Sequence, residues 1–316
     1  MIKNKKKIIL CIKIIVTLVL LYFASLNTNI YEAKTTLSGL NFYFISIAII
    51  LSALGYVIGG VRWWVINKSL ELHSNLQMNI KLFFISGFFS QFVVGGGYGG
   101  DLYRAWILAK ITNRKLDSIS SIFIDRLSGV IAALLTISLS FPLYYFIVDD
   151  LFSSDVASVS IISATILIVI YVIFIFNENV LDSKFSKRYF NENISNTLEN
   201  FVDIFLQPKK LFPHLFLSFI GLMCYMLSLY FITLSIGIKV NVIYLYLLWP
   251  IIFLIKSFPL AIGGWGAREL AMVYFLGIVG ITNNDALLSS IMVGLIMIAS
   301  SMVGLYLWIF SPPSTD

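Results

Sequence analysis

The segment IKLFFISGFFSQFVVGGGYGGDLYRAWILAKI, residues 80–111, has the pattern that decides the fold. It is apolar up to Val94, breaks at the glycine-rich cluster 95–100, and is apolar again beyond it. Basic residues flank both ends: Lys68, Lys81, Lys110, Arg114 and Lys115. Basic loops beside membrane spans lie in the cytoplasm. A single crossing would put one basic flank outside, so the segment predicts a re-entrant helical hairpin with the glycines at its turn.

The composition excludes a soluble protein. Of 316 residues, 59% are hydrophobic and only 12% are charged, whereas soluble domains have about 25% charged residues. A helix that spans a bilayer needs about 20 apolar residues. Six runs reach or approach that length: 8–26, 42–66, 119–148, 159–176, 211–236 and 285–310. We therefore predict an all-α integral membrane protein with about six transmembrane helices and no soluble domain.

The charge distribution predicts the topology. The net charge is +6, but the basic residues lie in short loops and form no basic stripe, which argues against nucleic acid as a partner. The lysines before Ile8 put the amino terminus in the cytoplasm. The acidic loop 149–157 then lies outside, while the loop 177–210 and the carboxyl terminus are cytoplasmic. Within that loop, apolar residues at three- and four-residue spacing predict a short amphipathic helix: Leu198, Phe201, Val202 and Phe205.

A second glycine-broken segment, 242–280, resembles the first. Gly96-Gly97-Tyr98-Gly99-Gly100-Asp101 aligns with Gly263-Gly264-Trp265-Gly266-Ala267-Arg268. If both segments are re-entrant, the span–hairpin–span units 42–148 and 211–310 have opposite orientations within one polytopic domain, 1–316. That is an inverted repeat, which many secondary transporters have. The alternative is two independent glycine-rich helix interfaces, since glycine is common in membrane helices.

Three pairs of charged residues fall at membrane depth, where an unpaired charge costs about 2.5–3.5 kcal/mol: Asp101 and Arg104, Asp125 and Arg126, Arg268 and Glu269. A half-helix that starts after each glycine cluster would point free N–H groups at the hairpin tip and create an anion site. We predict that Arg104 and Arg268 contact a phosphate there. The glycines would shape the tips by close backbone approach: Gly96, Gly97, Gly99, Gly100, Gly263, Gly264 and Gly266.

The other charges have competing interpretations. Asp101, Asp125, Arg126 and Glu269 would hold or gate the tips. Asp125-Arg126 also fits a structural ion pair that locks its span to a neighbour, or a role in substrate or proton handling. Arg104 and Arg268 fit interfacial snorkelling as the alternative. Other cations are less specific: Arg62, beside Trp63 and Trp64, fits an interfacial anchor, and Lys256 is ambiguous. If the tips meet, Arg104 and Arg268 converge on one cavity near the bilayer midplane.

No pattern in the sequence indicates an enzyme. The spans contain no Ser–His–Asp set and no paired carboxylates with an acid partner. His73 and His214 are the only histidines, and Cys11 and Cys224 both lie in apolar runs, so we predict no metal site. The first glycine cluster lacks the Lys-Ser/Thr of a nucleotide-binding loop. We therefore predict no catalytic residues and no cofactor.

Several motifs together resemble a known family. They are Arg62-Trp63, GGYGGDLYR at 96–104, IDRLSG at 124–129 and FPLAIGGWGARE at 258–269. In this order they are similar to the flippase-like membrane family that includes the transmembrane region of lysylphosphatidylglycerol synthase. One departure is that Gln91-Phe92-Val93-Val94 has no proline before the first cluster, whereas the second cluster keeps Pro259.

The resemblance implies a translocase that moves an anionic phospholipid or lipid-linked glycan across the bacterial inner membrane. The partner would be a membrane lipid with a phosphate head group, with a lipid-modifying enzyme or glycosyltransferase as a further possible partner. Lysyl transfer is not implied, because the chain ends at Asp316 without an aminoacyl-transferase domain. The alternatives are a membrane-embedded enzyme or a non-transporting scaffold in lipid-linked glycan synthesis.

Overall fold

The computed structural model describes residues 15–25, 38–92, 98–147, 158, 161–169, 192–257 and 264–313. Within these residues the secondary structure is helical, without strands, and the all-α membrane fold is confirmed. The helices are α1 (Ile15–Ser25), α2 (Phe42–Ser69), α3 (Leu76–Phe92), α4 (Gly99–Thr112), α5 (Lys115–Ile147), α6 (161–169), α7 (Glu192–Leu206), α8 (Pro208–Ser235), α9 (Val242–Ser257), α10 (Ala267–Ile278) and α11 (Asn283–Phe310).

Four helices in the described residues are long and apolar enough to cross a membrane. They are Phe42–Ser69, Lys115–Ser140, Pro208–Ser235 and Asn283–Phe310. Each coincides with a predicted span. The prediction rested on the length and apolarity of each run, and these are the properties that a helix needs to cross a bilayer. The other two predicted spans correspond to the shorter helices α1 and α6, whose flanking residues lie outside the described residues. The total of six spans stays a prediction.

Both glycine-broken segments form two short helices, as predicted. In the first, α3 has 17 residues and α4 has 14. In the second, α9 has 16 and α10 has 12, and these two helices pack against each other. At 1.5 Å per residue each helix is about 18–26 Å long, shorter than the roughly 30 Å hydrocarbon core. Residues 93–97 and 258–263 lie outside the described residues, and the re-entrant path stays a prediction.

Cysteine labelling tests the re-entrant path. Asn113→Cys and Ser153→Cys, in a chain whose Cys11 and Cys224 are replaced by serine, should react with an impermeant maleimide from opposite sides of the membrane. Residue 113 follows the first hairpin, and residue 153 lies in the acidic loop, outside the described residues. Reaction of both cysteines from the same side would rule out the first re-entrant hairpin.

The order of the helices repeats along the chain. The series α2, α3, α4, α5 is long, short, short, long, and so is the series α8, α9, α10, α11. The second short helix of each series begins at its glycine cluster, at Gly99 and just after Gly266. This order supports the internal duplication that the two glycine motifs suggest. The opposite orientation of the two units stays a prediction.

Polar side chains define where several helices begin. The Asn75 side chain accepts a hydrogen bond from the Met78 N–H at 2.7 Å at the start of α3. Asn241 accepts one from the Ile243 N–H at 3.0 Å before α9, and Thr282 accepts one from the Asp285 N–H at 3.2 Å before α11. An N-cap of this kind satisfies a backbone donor that the helix cannot, and stabilises it by about 1 kcal/mol.

The chain divides into two compact units. Unit 1 consists of residues 1–57, 83–102 and 223–312, and unit 2 consists of residues 58–82, 103–222 and 313–316. The helices α2, α3, α4 and α8 contribute residues to both units. The assignment of 1–316 to one polytopic domain stays a prediction.

Small residues bring the helices of unit 1 close together. The Ser228 hydroxyl of α8 donates to the Ala48 carbonyl of α2 at 2.9 Å. The Ser300 hydroxyl of α11 donates to the Ile49 carbonyl of α2 at 3.3 Å. A Cβ at Gly304 would lie 2.1 Å from the Phe84 carbonyl oxygen. Membrane helices associate through such small-residue contacts because lipid supplies no hydrophobic force between them.

Gly304→Ala should therefore destabilise the protein by about 1–3 kcal/mol, because α11 must move away from α3 to admit the methyl group. Gly277→Ala is the matched control, since nothing lies within 4 Å of a Cβ built at that position in α10. There the better helix propensity of alanine should leave stability unchanged or slightly raised. Thermal unfolding in detergent measures both, and equal melting temperatures would contradict the close packing.

Unit 2 contains the predicted amphipathic helix, α7 (Glu192–Leu206), which packs against α5. Its residues Val202 and Phe205 are buried, as their spacing predicts. The Thr197 hydroxyl donates to the Asp117 carboxylate of α5 at 3.1 Å. Elsewhere in the unit, the Asn67 amide donates to Asn79 at 2.7 Å and joins α2 to α3.

Candidate functional site

Asp125 on α5 is the centre of a charged network in unit 2. Its Oδ1 accepts a hydrogen bond from the Arg62 Nε of α2 at 2.7 Å. Its Oδ2 accepts one from the Arg104 Nη2 of α4, also at 2.7 Å. The side chains of Asp125 and Arg104 are 2% exposed, and that of Arg62 is 16% exposed. One carboxylate thus joins three helices, and both guanidinium bonds are short, charge-assisted contacts.

The partners of Asp125 test two interpretations of the sequence: that Asp125-Arg126 is a structural ion pair, and that Arg62 is an interfacial anchor. The carboxylate links its span to neighbouring helices, as the structural ion-pair hypothesis requires, but it does so through Arg62 and Arg104. Arg126, its neighbour in the chain, is half-buried. Arg62 has a protein partner within unit 2 where the sequence suggested an interfacial anchor. Removing one member of a buried pair leaves the other charge uncompensated, which costs about 3–5 kcal/mol.

A tryptophan side chain lies against Arg104. Its guanidinium lies 4.9 Å from the ring centroid of Trp63, a cation–π contact. Trp63 is fully buried, and its indole N–H donates to the Ser121 hydroxyl at 3.1 Å. Trp64 is half-buried and donates to the Ser74 carbonyl. The Trp63 ring therefore packs inside the protein, against Arg104.

A histidine on α8 extends the same network. The Arg62 Nη1 donates to the Ser218 hydroxyl at 3.2 Å, and that hydroxyl donates to the His214 carbonyl at 2.7 Å. The His214 Nδ1 lies 2.9 Å from the Ser128 hydroxyl of α5. His214, Ser128 and Ser218 are all buried. Polar groups on four helices of unit 2 are therefore connected through hydrogen bonds away from water.

Unit 1 contains a second buried ion pair. Glu269 Oε1 accepts hydrogen bonds from the Arg268 Nε at 3.1 Å, from the Arg268 Nη2, and from the Ser290 hydroxyl of α11 at 3.2 Å. The Arg268 side chain is 2% exposed and that of Glu269 is 0% exposed. The Arg268 guanidinium also lies 4.6 Å from the Trp265 ring centroid. The carboxylate that the sequence proposed as a holding group does bind this arginine.

The backbone before α10 has the geometry that glycine permits. Gly264 has φ 80° and Gly266 has φ 88°, in the left-handed region that other residues rarely occupy. A Cβ at Gly266 would also lie 2.7 Å from the Leu20 Cβ. The Gly266 N–H donates to Glu269 Oε2. The positive end of this half-helix is therefore occupied by the protein's own carboxylate.

Lys256 at the end of α9 lies close to this turn. A Cβ at Gly264 would be 3.3 Å from the Lys256 carbonyl oxygen. The Lys256 ammonium lies 5.6 Å from the Tyr225 ring centroid, 5.3 Å from that of Trp249 and 5.6 Å from that of Phe253. Its remaining described contact is the Met297 sulfur at 3.9 Å. The sequence left this lysine ambiguous, and the structure surrounds it with aromatic rings.

The first glycine cluster is described only in part. Gly96, Gly97 and Gly263 lie outside the described residues. Gly99 and Gly100 begin α4, and a Cβ at Gly100 would be 1.9 Å from the Ser86 carbonyl oxygen, so α4 approaches α3 too closely for a side chain. Asp101 lies in the first turn of α4 and is buried. Arg104 belongs to unit 2 and Arg268 to unit 1, and their convergence on one cavity stays a prediction.

Three basic or titratable side chains in these contacts were not singled out as site residues: Arg62, His214 and Lys256. One signal was available for all of them, because each is a basic or titratable residue inside or at the end of an apolar run. Ionisable residues within membrane spans are rare, and they usually have a charged or polar partner or a functional role. Trp63 and Trp249 gave no such signal, since tryptophan is common at membrane interfaces.

The protein family described as the lysylphosphatidylglycerol synthase TM region matches residues 10–304. The chain belongs to this family. The UPF0104 membrane protein of Methanocaldococcus jannaschii is 30% identical to it over 194 residues, which cover 59% of this chain and 79% of the relative. The resemblance carried by the glycine motifs is therefore confirmed.

Membership of the lysylphosphatidylglycerol synthase TM region family indicates the general class of function. The chain is a multi-pass membrane protein of a family related to phosphatidylglycerol handling, which indicates a lipid-related function at the membrane. The buried ion pairs of both units lie within the residues that match the family.

Proposed function

We propose that the protein is a lipid translocase that moves an anionic phospholipid or lipid-linked glycan across the inner membrane of a bacterium. Both termini would face the cytoplasm. The observation that carries the proposal is the pairing of each buried candidate arginine with a carboxylate, Arg104 with Asp125 and Arg268 with Glu269. In a family related to phosphatidylglycerol, the ligand that competes for such an arginine is a phosphate.

Exchange of anions is the chemical basis of the proposal. A guanidinium binds a carboxylate and a phosphate with the same planar set of donors. The internal carboxylate balances the charge of each arginine and holds it in place while no lipid is bound, because an isolated charge at this depth would be costly. When a head group arrives, one charge-assisted contact replaces another. Binding then costs less than the burial of a new, unpaired phosphate would.

The remaining site residues would control this exchange. The glycines at 96–100 and 263–266 shape the hairpin tips, where irregular backbone must be buried in protein or line a wet cavity. Asp101, Asp125, Arg126 and Glu269 hold or gate the arginines.

Reconstitution tests the proposal. Purified protein in liposomes should move fluorescent phosphatidylglycerol between leaflets faster than protein-free liposomes do, as measured by dithionite quenching. Arg104→Lys keeps the charge but loses the bidentate fork, so transport should fall about ten-fold. Arg114→Lys is the matched control, because Arg114 forms a partly exposed pair with Asp117.

Two results would contradict a translocase. One is wild-type transport at the rate of protein-free liposomes, with release of phosphate or transfer of a sugar by the purified protein, which would indicate an enzyme. The other is full function in cells when Arg104 and Arg268 are replaced by glutamine, which would indicate a scaffold.

A further inference from the structure

The charges near the start of α10 are not balanced. The charged side chains described in this cluster are Lys256, Arg268 and Glu269, two cations and one carboxylate. Glu269 directs its oxygens to Arg268, the Ser290 hydroxyl and the Gly266 N–H. Its carboxylate is therefore fully engaged, and no carboxylate among the described residues lies within salt-bridge distance of Lys256.

The aromatic rings around Lys256 do not replace a counterion. Three ring centroids lie 5.3–5.6 Å from its ammonium. Ring faces attract a cation, but they are neutral and leave its charge uncompensated. They also exclude water, which strengthens the attraction of the ammonium for any anion that comes near. Lys256 as a whole residue is half-buried.

A buried hydrogen-bond donor lies beside the same ammonium. Trp249 is 1% exposed, and its indole N–H has no hydrogen-bond acceptor in the described part of the chain. Buried polar groups almost always have a partner, so this donor indicates an acceptor that the described residues do not supply. The ammonium lies 5.3 Å from the centroid of the Trp249 ring. A phosphate group has several acceptor oxygens and can accept from two donors at once through hydrogen bonds of about 2.7–3.0 Å.

We propose that Lys256 and Trp249 form an anion-binding subsite in unit 1 that takes the phosphate group of a lipid. The ammonium supplies the charge, and the indole N–H orients the group through a second hydrogen bond. The rings of Tyr225 and Phe253 lie around the ammonium, which also donates a weak hydrogen bond to the Met297 sulfur at 3.9 Å. Aromatic surroundings of this kind favour a lipid, in which glycerol and acyl chains are attached to the phosphate, over a hydrated free ion.

This subsite divides the roles in the second hairpin. The inference rests on the proposed function in one respect: it takes the bound phosphate to belong to a membrane lipid. Glu269 then acts as a positioning residue that fixes the Gly266 turn near Lys256, because it binds the Gly266 N–H and the Arg268 guanidinium together. Arg268 keeps the role that the proposed function gives it, and Lys256 adds a second cation in unit 1.

Binding in detergent micelles tests the subsite without transport. Native mass spectrometry should show that Lys256→Gln weakens phosphatidylglycerol binding about ten-fold or more, the loss expected for one charge-assisted hydrogen bond. Lys256→Arg should recover most of it. Trp249→Phe keeps a ring but removes the donor, and should weaken binding by a smaller factor. Lys239→Gln is the matched control, because Lys239 lies exposed in the same unit and loses the same charge.

Two further measurements separate the subsite from a purely structural lysine and from a site for a free ion. A structural lysine predicts that Lys256→Gln lowers the melting temperature, whereas the subsite predicts an unchanged or higher one, because the change removes an uncompensated cation beside Arg268. Diacylglycerol, which lacks the phosphate, should bind equally to the wild type and to Lys256→Gln. Inorganic phosphate should not displace phosphatidylglycerol, and Lys256-dependent binding of inorganic phosphate alone would overturn the lipid assignment.

The outcomes distinguish this inference from the proposed function. If Lys256→Gln binds phosphatidylglycerol like the wild type, the subsite is wrong, although wild-type transport can still stand. If Lys256-dependent binding is found but the wild type moves no lipid in liposomes, the subsite is right and the translocase proposal fails.

Discussion

Asp125→Asn is expected to lower the free energy of unfolding by about 3–5 kcal/mol and to abolish lipid transport. The carboxylate holds Arg62 and Arg104, each at 2.7 Å, and its own side chain is 2% exposed. Asparagine has nearly the same shape, but it is neutral and can accept through one oxygen only. Two guanidinium groups would then remain close together without a counter-charge, and the contact between α2, α4 and α5 would loosen.

The control makes the same chemical change at an exposed ion pair. Asp203 pairs with Lys210, and the two side chains are 36% and 34% exposed. Asp203→Asn should cost less than about 1 kcal/mol, because water screens such a pair. Thermal unfolding in detergent compares the two variants. Loss of transport with an unchanged melting temperature for Asp125→Asn would show that the carboxylate acts on the substrate and that the structural interpretation is wrong.

The helices were predictable because the bilayer imposes a simple rule on the sequence. The runs 42–66, 211–236 and 285–310 contain enough consecutive apolar residues to span, and helices lie there. The break at each glycine cluster was predictable for the same reason, since glycines interrupt the apolar pattern. The caps at Asn75 and Asn241 show that helix starts also depend on local polar residues.

The partners within the site were less predictable. Asp125 binds residues 63 and 21 positions away in the chain, and sequence spacing does not fix which faces of α2, α4 and α5 meet. Arg62 followed the pattern of an interfacial anchor because two tryptophans come after it. Trp63 is instead buried, because Ser121 satisfies its N–H and Arg104 lies against its ring. Such contacts depend on helix packing, which run length does not encode.

Glu269 was predictable as a partner of Arg268, although neighbouring residues on a helix seldom face each other. The exception arises at the helix start. The Glu269 side chain turns back toward the Gly266 N–H in the manner of a capping box, and this brings its other oxygen to the Arg268 guanidinium. The left-handed backbone at Gly264 and Gly266 makes this arrangement possible.

Glu269→Gln is expected to cost about 3–5 kcal/mol of unfolding free energy, the second large effect. Glutamine can still accept the Gly266 N–H, so the cap is partly kept. It cannot balance Arg268, whose side chain is 2% exposed and which lies in a cluster that also contains Lys256. The variant thus separates the effect of the Glu269 charge from that of its capping hydrogen bond. The lower stability should appear as a large fall in the melting temperature in detergent.

A second substitution decides whether charge is the cause. Arg268→Gln in the Glu269→Gln background removes the uncompensated cation, so the double variant should recover most of the lost stability, a strongly non-additive result for residues in contact. Glu269→Gln alone should unfold at nearly the same low temperature in dilute and in concentrated salt, because a buried charge is screened little. A Glu269→Gln protein that unfolds at the wild-type temperature would show that Arg268 has another counterion, and that a phosphate need not displace Glu269 to reach it.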